Sequence, residues 1–169
     1  FRSVGLTSED VVIKISSRKV LEEVLGSLGI AGESFAKTCV IVDKMDKLPA
    51  KAITAQLSDL GLDGDSISTI QSVLGISNLS DLGDSLDAGS TASTELERLF
   101  QLLESYGISD WTTFDASVVR GLAYYTGPVF EAQDRGGELR AICGGGRYDK
   151  LIGTLGGRDL PATGFGFGD

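Results

Sequence analysis

Two short stretches of this 169-residue chain concentrate the side chains that could do chemistry. In residues 116–131, Ala-Ser-Val-Val-Arg-Gly-Leu-Ala-Tyr-Tyr-Thr-Gly-Pro-Val-Phe-Glu, Arg120 precedes a glycine and the pair Tyr124-Tyr125. A guanidinium, two amphipathic rings and a bare backbone position within a few residues suit a small anionic ligand that also carries a flat group. The second stretch is Cys143-Gly-Gly-Gly-Arg-Tyr-Asp149, and the last residues, Gly164-Phe-Gly-Phe-Gly-Asp169, alternate glycine with aromatic rings.

Triple glycine at Gly144-Gly-Gly146, read at the end of a strand, weakens that strand and needs a reason. Either the backbone approaches a ligand closely or the chain bends with positive φ, and a tight structural turn serves as well as a ligand site. It is not a P-loop, since the Gly-Lys-Ser/Thr ending is missing. Nor is it a dinucleotide fingerprint, since Asp149 stands where the third glycine belongs. Gly164, Gly166 and Gly168 on a strand leave one face bare, for a flat ligand or for an element crossing closely. Taken singly, Arg120 is a surface or salt-bridge arginine and the tyrosines are core rings with wet hydroxyls. On a strand the two rings would face opposite ways, so only one would reach a site.

The residue census narrows the chemistry. There is no histidine, which removes the commonest general base and metal ligand. Cys39 and Cys143 are too few for a disulfide framework and too far apart for a zinc knuckle, which points to reduced, structural thiols. No Ser-His-Asp, Cys-His or metal-ligand set can be assembled, and the carboxylates form no acid/base pair. Spacing alone therefore stops at a ligand-binding α+β domain for an anionic substrate.

Several elements must position these residues. Val11–Ser16 reads as a β-branched strand, and Ser17 as the cap of a helix from Arg18 to Leu28, stopped by Gly29. Helical spacing follows at Phe35, Ala36, Cys39 and Val40, then at Ile53, Leu57 and Leu60 after Pro49, with Gly61 as the stop. Asp65 is the expected cap of a helix carrying Ile67, Ile70 and Leu74. Residues 77–93, rich in Ser, Asp and Gly, are expected to be a loop, with Thr94 opening a last helix that carries Leu96, Leu99, Phe100, Leu103 and Tyr106. Beyond Trp111 strands are expected at 114–119 and 124–133, with Pro128 marking an edge or bulge. A turn at 134–138 then leads to 139–143 pairing back as a hairpin. A helix over 148–155 and a strand from Ala162 complete the pattern. The expected fold class is α+β, an antiparallel sheet flanked by helices and interrupted by a helical insertion.

Charge follows the same division. Residues 19–110 hold 15 acidic and 6 basic side chains, whereas residues 1–18 and 111–169 together hold 9 of each. An acidic lobe repels a phosphate backbone unless its basic residues cluster. No apolar run approaches the ~18 residues of a membrane span, and the start lacks a signal-peptide layout. The chain begins at Phe1 without a methionine and is expected to be a piece of a longer protein.

The residues also resemble a family. Arg120-Gly-Leu-Ala-Tyr-Tyr-Thr126 with Val129-Phe-Glu131 is similar to the histidine-specific signature of histidyl-tRNA synthetases. Gly145-Gly-Arg-Tyr-Asp149 resembles that family's next block, and Pro161-Ala-Thr-Gly-Phe-Gly-Phe-Gly168 the opening of class II motif 3. Asp43-Lys-Met-Asp-Lys-Leu48 resembles a block in the helical insertion of eukaryotic-type enzymes, and Val12–Arg18 the strand and helix start before it. The resemblance runs end to end and in order.

It implies a class II catalytic-domain fragment, with core segments at 1–18 and 111–169 and a helical insertion at 19–110. Arg120 would be catalytic, holding the histidine carboxylate and the α-phosphate of ATP. Tyr125 would meet the imidazole, Tyr124 and Tyr148 would line the pocket, and Gly144 and Gly145 would form its floor. Gly164, Gly166 and Gly168 would lie beneath the adenylate. Histidine, ATP with Mg2+, tRNA(His) and a second subunit are the implied partners, without a protein metal site or a membrane, in the cytoplasm or an organelle. Ala123 stands where the family usually has aspartate. Motifs 1 and 2, the motif 3 arginine and an anticodon-binding domain are not in these residues, so the fragment is expected not to activate histidine alone. The other readings are a synthetase-like regulatory domain sensing histidine or uncharged tRNA, a pocket that only binds, and a structural glycine hairpin.

Overall fold

A computed structural model describes residues 1–45, 48–120, 122–137 and 141–168. Five strands form one sheet in the order β2-β1-β3-β4-β5, comprising β1 (Val11–Ser17), β2 (Thr112–Phe114), β3 (Pro128–Asp134), β4 (Cys143–Tyr148) and β5 (Ala162–Phe167). β1 and β2 are parallel and the other pairs are antiparallel. A parallel neighbour requires a long crossover. Among the described residues it contains six α-helices: α1 (Arg18–Ser27), α2 (Gly32–Val42), α3 (Ala50–Asp59), α4 (Gly64–Leu74), α5 (Leu79–Ser85) and α6 (Thr91–Ser105). A short α7 (Leu151–Thr154) joins β4 to β5.

Local chemistry accounts for most of these boundaries. The Ser17 hydroxyl accepts from the Lys19 amide and starts α1. Gly29 (φ 73°) and Gly61 (φ 88°) follow α1 and α3 in the left-handed region that L side chains avoid. The apolar stripes then meet the sheet. Val20, Leu21, Val24 and Leu25 of α1 share one core with Val42, Ile70, Leu74 and Leu96 of the later helices and with Ile15 and Phe114 of the sheet. Ile41, Ile53, Leu57 and Ile67 make a smaller cluster among α2, α3 and α4. Arg18 is buried at the start of α1, its guanidinium carbon 5.0 Å from the centre of the Phe35 ring. Among the described residues no helix is long and apolar enough to cross a membrane.

Several sequence expectations are corrected. Asp63, not Asp65, caps α4, accepting from the Ser66 amide at 2.8 Å. Residues 77–93 are ordered rather than a loop, because tertiary partners supply what their composition lacks. Asn78 caps α5, and Leu82 is 0% exposed in the main core. Helix α6 starts at Thr91, three residues before Thr94. The Glu23 carboxylate reaches across from α1 to accept from Ser90 Oγ (2.5 Å), Thr91 Oγ1 (2.8 Å) and the Ala92 amide (2.9 Å). These hydrogen bonds outweigh the burial of Glu23 and hold its carboxyl below the usual range. Tyr106, expected on the apolar stripe, is 79% exposed, and Val40 also faces outward.

The expected strand over 114–119 ends at Phe114. There the Asp115 carboxylate accepts from the Ser117 amide (3.0 Å) and hydroxyl (2.6 Å) and pairs with Lys14 (3.0 Å), turning the chain away. The strand expected over 124–133 begins only at Pro128, at its first residue, where the missing N–H costs least. Leu139 and Arg140 lie outside the described residues, and β4 starts at Cys143, so the three glycines fall inside the strand rather than at its end. Tyr148 is the last residue of β4, and the helix expected over 148–155 is confined to Leu151–Thr154.

Candidate active site

Register places the candidate residues on the sheet. Lys14, Glu131, Gly144 and Gly166 form one cross-strand row, and Ser16, Val129, Gly146 and Gly164 the next row on the same face. Four of these eight positions are glycines on β4 and β5, so that half of the face is bare backbone. Phe130, Gly145 and Phe165 form a row on the opposite face, where the two rings lie 6.3 Å apart.

A Cβ built at each glycine shows what requires its absence. At Gly144 it would lie 2.5 Å from Arg120 Nη1 and 2.8 Å from its Cζ, so the guanidinium rests flat on that backbone. At Gly146 it would lie 2.8 Å from the Tyr125 ring and 2.7 Å from the Pro128 carbonyl. At Gly145 it would run into the Gly164 carbonyl of the adjacent strand. At Gly164 it would meet the Tyr148 hydroxyl at 2.5 Å. None of these four has positive φ. Close approach, not a bend, is the reason for the triple glycine, and what approaches is the protein's own arginine, tyrosines and neighbouring strand. Gly166 has nothing within 4 Å and faces open space, and Gly168 abuts the Ile142 carbonyl at 3.0 Å.

Arg120 comes from the loop between β2 and β3. Its φ of 50° is left-handed for a residue with a side chain, a conformation that costs about 1 kcal/mol or more and recurs at functional sites. Nη1 donates to Glu131 Oε2 at 3.1 Å, and Gln133 Nε2 holds the other carboxylate oxygen at 3.1 Å. Beside Arg120 the three tyrosines converge. Tyr124 and Tyr125 lie 4.6 Å apart, and Tyr148 meets Tyr124 edge-on at 5.6 Å and Tyr125 at 6.3 Å. The segment is a turn rather than a strand, so both rings of the pair reach the same place. Burial, with help from the Tyr124 hydroxyl, pushes the Tyr125 phenol up to about 12, against a hydrogen bond from Arg120.

The turn is tied down at its C-terminal end. The Thr126 amide donates to the Arg147 carbonyl (2.9 Å), its hydroxyl accepts from the Asp149 amide (3.0 Å), and the Arg18 amide donates to the Gly127 carbonyl (2.9 Å). Arg147 pairs with Asp149 at 3.0 Å and holds that carboxyl below its usual range. Ala123 is exposed on the turn.

Between the Arg120 loop, β1, β3 and the end of α2 lies a cavity of about 70 Å³, lined by Lys14, Asp43, Arg120, Glu131 and Gln133 among others. A larger groove of about 640 Å³ lies between α6 and the sheet, with Ile13, Ile15, Leu99, Leu103 and Phe130 in its wall. Its lining is apolar and lacks the convergent polar groups of a recognition site. Among the described residues no group of three His, Cys, Asp or Glu side chains could hold a metal ion.

The structure thus gathers Arg120, Tyr124, Tyr125, Tyr148, Gly144 and Gly164 in one place, with Gly166 farther along β5 and Gly168 just past its end. Gly145 faces the other side, and Gly146 lies on the Arg120–tyrosine face, against the Tyr125 ring. Sequence reasoning missed Gly146, Glu131, Gln133, Lys14 and Asp43. The alternation of Glu131 and Gln133 with Phe130 and Ala132 was a signal for two of them, since polar groups mid-sheet need partners.

Comparisons with known proteins bear on the family and the fold. The profile of the family described as histidyl-tRNA synthetase matches residues 2–168. The histidine–tRNA ligase, chloroplastic/mitochondrial, of Arabidopsis thaliana is 51% identical over 169 residues, covering 100% of this chain and 35% of that protein. That of Thermoplasma volcanium is 38% identical over 160 residues, 93% of this chain and 37% of that protein. The chain spans 35% to 40% of the length of curated relatives such as these and that of Opitutus terrae. The crystal structure of histidyl-tRNA synthetase from Nostoc sp. PCC 7120 superposes with a TM-score of 0.86 at 30% identity, covering 99% of this chain and 42% of that one. A Bacillus halodurans protein described as an ATP phosphoribosyltransferase regulatory subunit/histidyl-tRNA synthetase gives 0.78 at 25% identity, over 98% of this chain and 44% of that one. With its sheet and its sequence in accord, the chain belongs to the histidyl-tRNA synthetase family.

Proposed function

We propose that the full-length polypeptide containing this chain is a histidine–tRNA ligase. The histidine carboxylate attacks the α-phosphorus of ATP, forming histidyl-adenylate and expelling pyrophosphate; the histidyl group then passes to a terminal ribose hydroxyl of tRNA(His), releasing AMP. The nucleophile is already ionised, so activation needs positioning and charge stabilisation rather than a general base. A histidine-free chain with one fixed guanidinium is compatible with that.

The observation that carries this reading is the Arg120 guanidinium, laid on the Gly144 backbone beside three converging tyrosines. In this reading Arg120 holds the carboxylate and the α-phosphate, Tyr125 meets the imidazole, and Tyr124 and Tyr148 wall the pocket. Gly144 and Gly146 form its floor, and Gly164, Gly166 and Gly168 underlie the adenylate. Mg2+ would enter with the ATP phosphates and neutralise part of their charge. Residues 19–110 are the insertion, between core segments 1–18 and 111–169. A homodimer, and the organelle or cytoplasm as compartment, follow from kinship alone. A regulatory role, suggested by the description of the Bacillus halodurans relative, is the second reading; the intact arginine–tyrosine site favours the enzyme.

Histidine-dependent ATP–pyrophosphate exchange by the full-length polypeptide, beside its Arg120→Ala variant, tests the proposal. Loss of about 10²–10³-fold in the variant is expected, and a folded parent without exchange refutes it. Residues 1–169 alone are expected to show no exchange, and histidine-dependent exchange by that fragment would refute the need for the rest of the chain.

A further inference from the structure

The cavity beside Arg120 is not built by the sheet and the signature loop alone, because Asp43, from the end of α2, forms part of its wall. The two cations on that wall are already matched. Lys14 pairs with Asp115 at 3.0 Å, and Arg120 with Glu131 at 3.1 Å, with Gln133 satisfying the second oxygen of Glu131. The half-buried Asp43 carboxylate has no hydrogen bond or ion pair among the described residues. The unmatched charge of the cavity is therefore negative.

Nothing in the helix explains an aspartate there. A carboxylate at a helix C-terminus faces the negative end of the dipole, and C-terminal positions favour cations, Gly or Asn. Its place is nonetheless fixed by packing. The preceding residues, Ile41 and Val42, are buried in different clusters, one among α2, α3 and α4 and one against the sheet. The Asp43 amide donates to the Cys39 carbonyl at 3.0 Å. The helical lobe thus holds an unfavourably placed carboxylate rigidly at the edge of the candidate active site.

We propose that Asp43 is a substrate-contacting residue supplied by the helical lobe, accepting a hydrogen bond from a nitrogen-borne N–H or cation of the amino acid while Arg120 holds the opposite charge. This rests on the reading that the site takes histidine. Two groups of histidine offer that chemistry, the α-ammonium and the imidazole N–H. A cavity of about 70 Å³ holds several waters or one such polar group. Charge-assisted acceptance is stronger than a neutral hydrogen bond, so the carboxylate matters and not merely the acceptor.

The test is Asp43→Asn in the full-length polypeptide. The KM for histidine in pyrophosphate exchange, and the histidine Kd by calorimetry, are expected to rise about 10–100-fold with the KM for ATP unchanged. Thermal stability should be equal or slightly higher, since a charge of the wrong sign leaves the helix end. Imidazolepropionate, which lacks the ammonium, and N-methylated histidines identify the group contacted. Whichever discrimination shrinks in the variant names it. Values within twofold of the parent for both KM and Kd overturn the proposal. A parent that binds histidine but shows no exchange refutes the activating reading alone, and the calorimetric comparison still decides the role of Asp43. A parent that binds no histidine overturns both.

Discussion

A single methyl group at Gly144 should disable the site without replacing any charged residue. In Gly144→Ala the new Cβ would stand 2.5 Å from Arg120 Nη1, 2.8 Å from Cζ and 3.1 Å from Nη2. Non-bonded heavy atoms rest ~3.5 Å apart, so the guanidinium must lift by about 1 Å. Its backbone has little room to follow, because φ is already left-handed at 50°. The 3.1 Å contact with Glu131 must stretch or break. Displacing a positioning group by about 1 Å costs on the order of 10²-fold in rate. The fold should lose only about 1 kcal/mol, since the methyl meets the movable end of a side chain. The assay is pyrophosphate exchange on full-length Gly144→Ala, Arg120→Ala and the double variant. Because the methyl acts through the guanidinium, the double variant should be no worse than Arg120→Ala. Activity of Gly144→Ala within threefold of the parent, or a double variant showing the product of the two single losses, would refute the reasoning.

Other perturbations separate fold from function. Gly166→Ala meets nothing within 4 Å, so its Tm should match the parent while the KM for ATP rises; an unchanged KM would remove β5 from the nucleotide floor. Leu82→Ala, at a residue 0% exposed in the main core, should cost about 2–5 kcal/mol in urea unfolding, and a loss below about 1 kcal/mol would mean that residues 77–93 do not pack. Burial pushes the Cys39 thiol up to about 11 from 9.0, and burial first pushes the Tyr125 phenol up to about 12 from 10.0. Both folded values exceed the unfolded ones, so each contribution to stability is present below the unfolded value and lost as pH rises through the folded one. Melting curves across that alkaline window should flatten in Tyr125→Phe and Cys39→Ala, and an unaltered slope in both would contradict the burial argument. Cys39 should also resist alkylation at neutral pH until the protein unfolds.

What could be read in the sequence was local. Ser17 with the stripe Val20, Leu21, Val24 and Leu25 defines α1 wherever it packs, and Pro49 with Ile53 and Leu57 does the same for α3. Residues 77–93 hid their helices because the decisive partners are distant. Glu23 completes the cap of α6 across 67 residues, and the helical spacing of Leu79, Leu82 and Leu86 is obscured by the Ser, Asp and Gly residues between them. Tyr124 and Tyr125 have strand-type side chains, yet lie in a turn fixed by bonds to the ends of β1 and β4. Which glycine faces the site depends on sheet register, where a one-residue change exchanges Gly145 for Gly146. Glu131 was visible as the end of the signature resemblance and as a polar residue in an apolar strand, but not as the partner of Arg120. Asp43 was visible only as part of a resemblance, since its neighbours at the site come from β1, β3 and the Arg120 loop.

The position of β1 has a consequence for how the polypeptide is made. Its partners, Thr112 to Phe114 on one side and Pro128 to Asp134 on the other, leave the ribosome only after all six helices of the crossover have been synthesised. Until then Val11, Val12 and Ile15 have no strand to pair with, whereas α1 to α6 can begin to bury one another. Such long-range closure is slow and leaves an apolar edge exposed to aggregation. Nascent chains paused between α6 and β2 should therefore carry a helical nucleus with β1 unpaired by β2 and β3. That stage is where chaperones would have the most to bind.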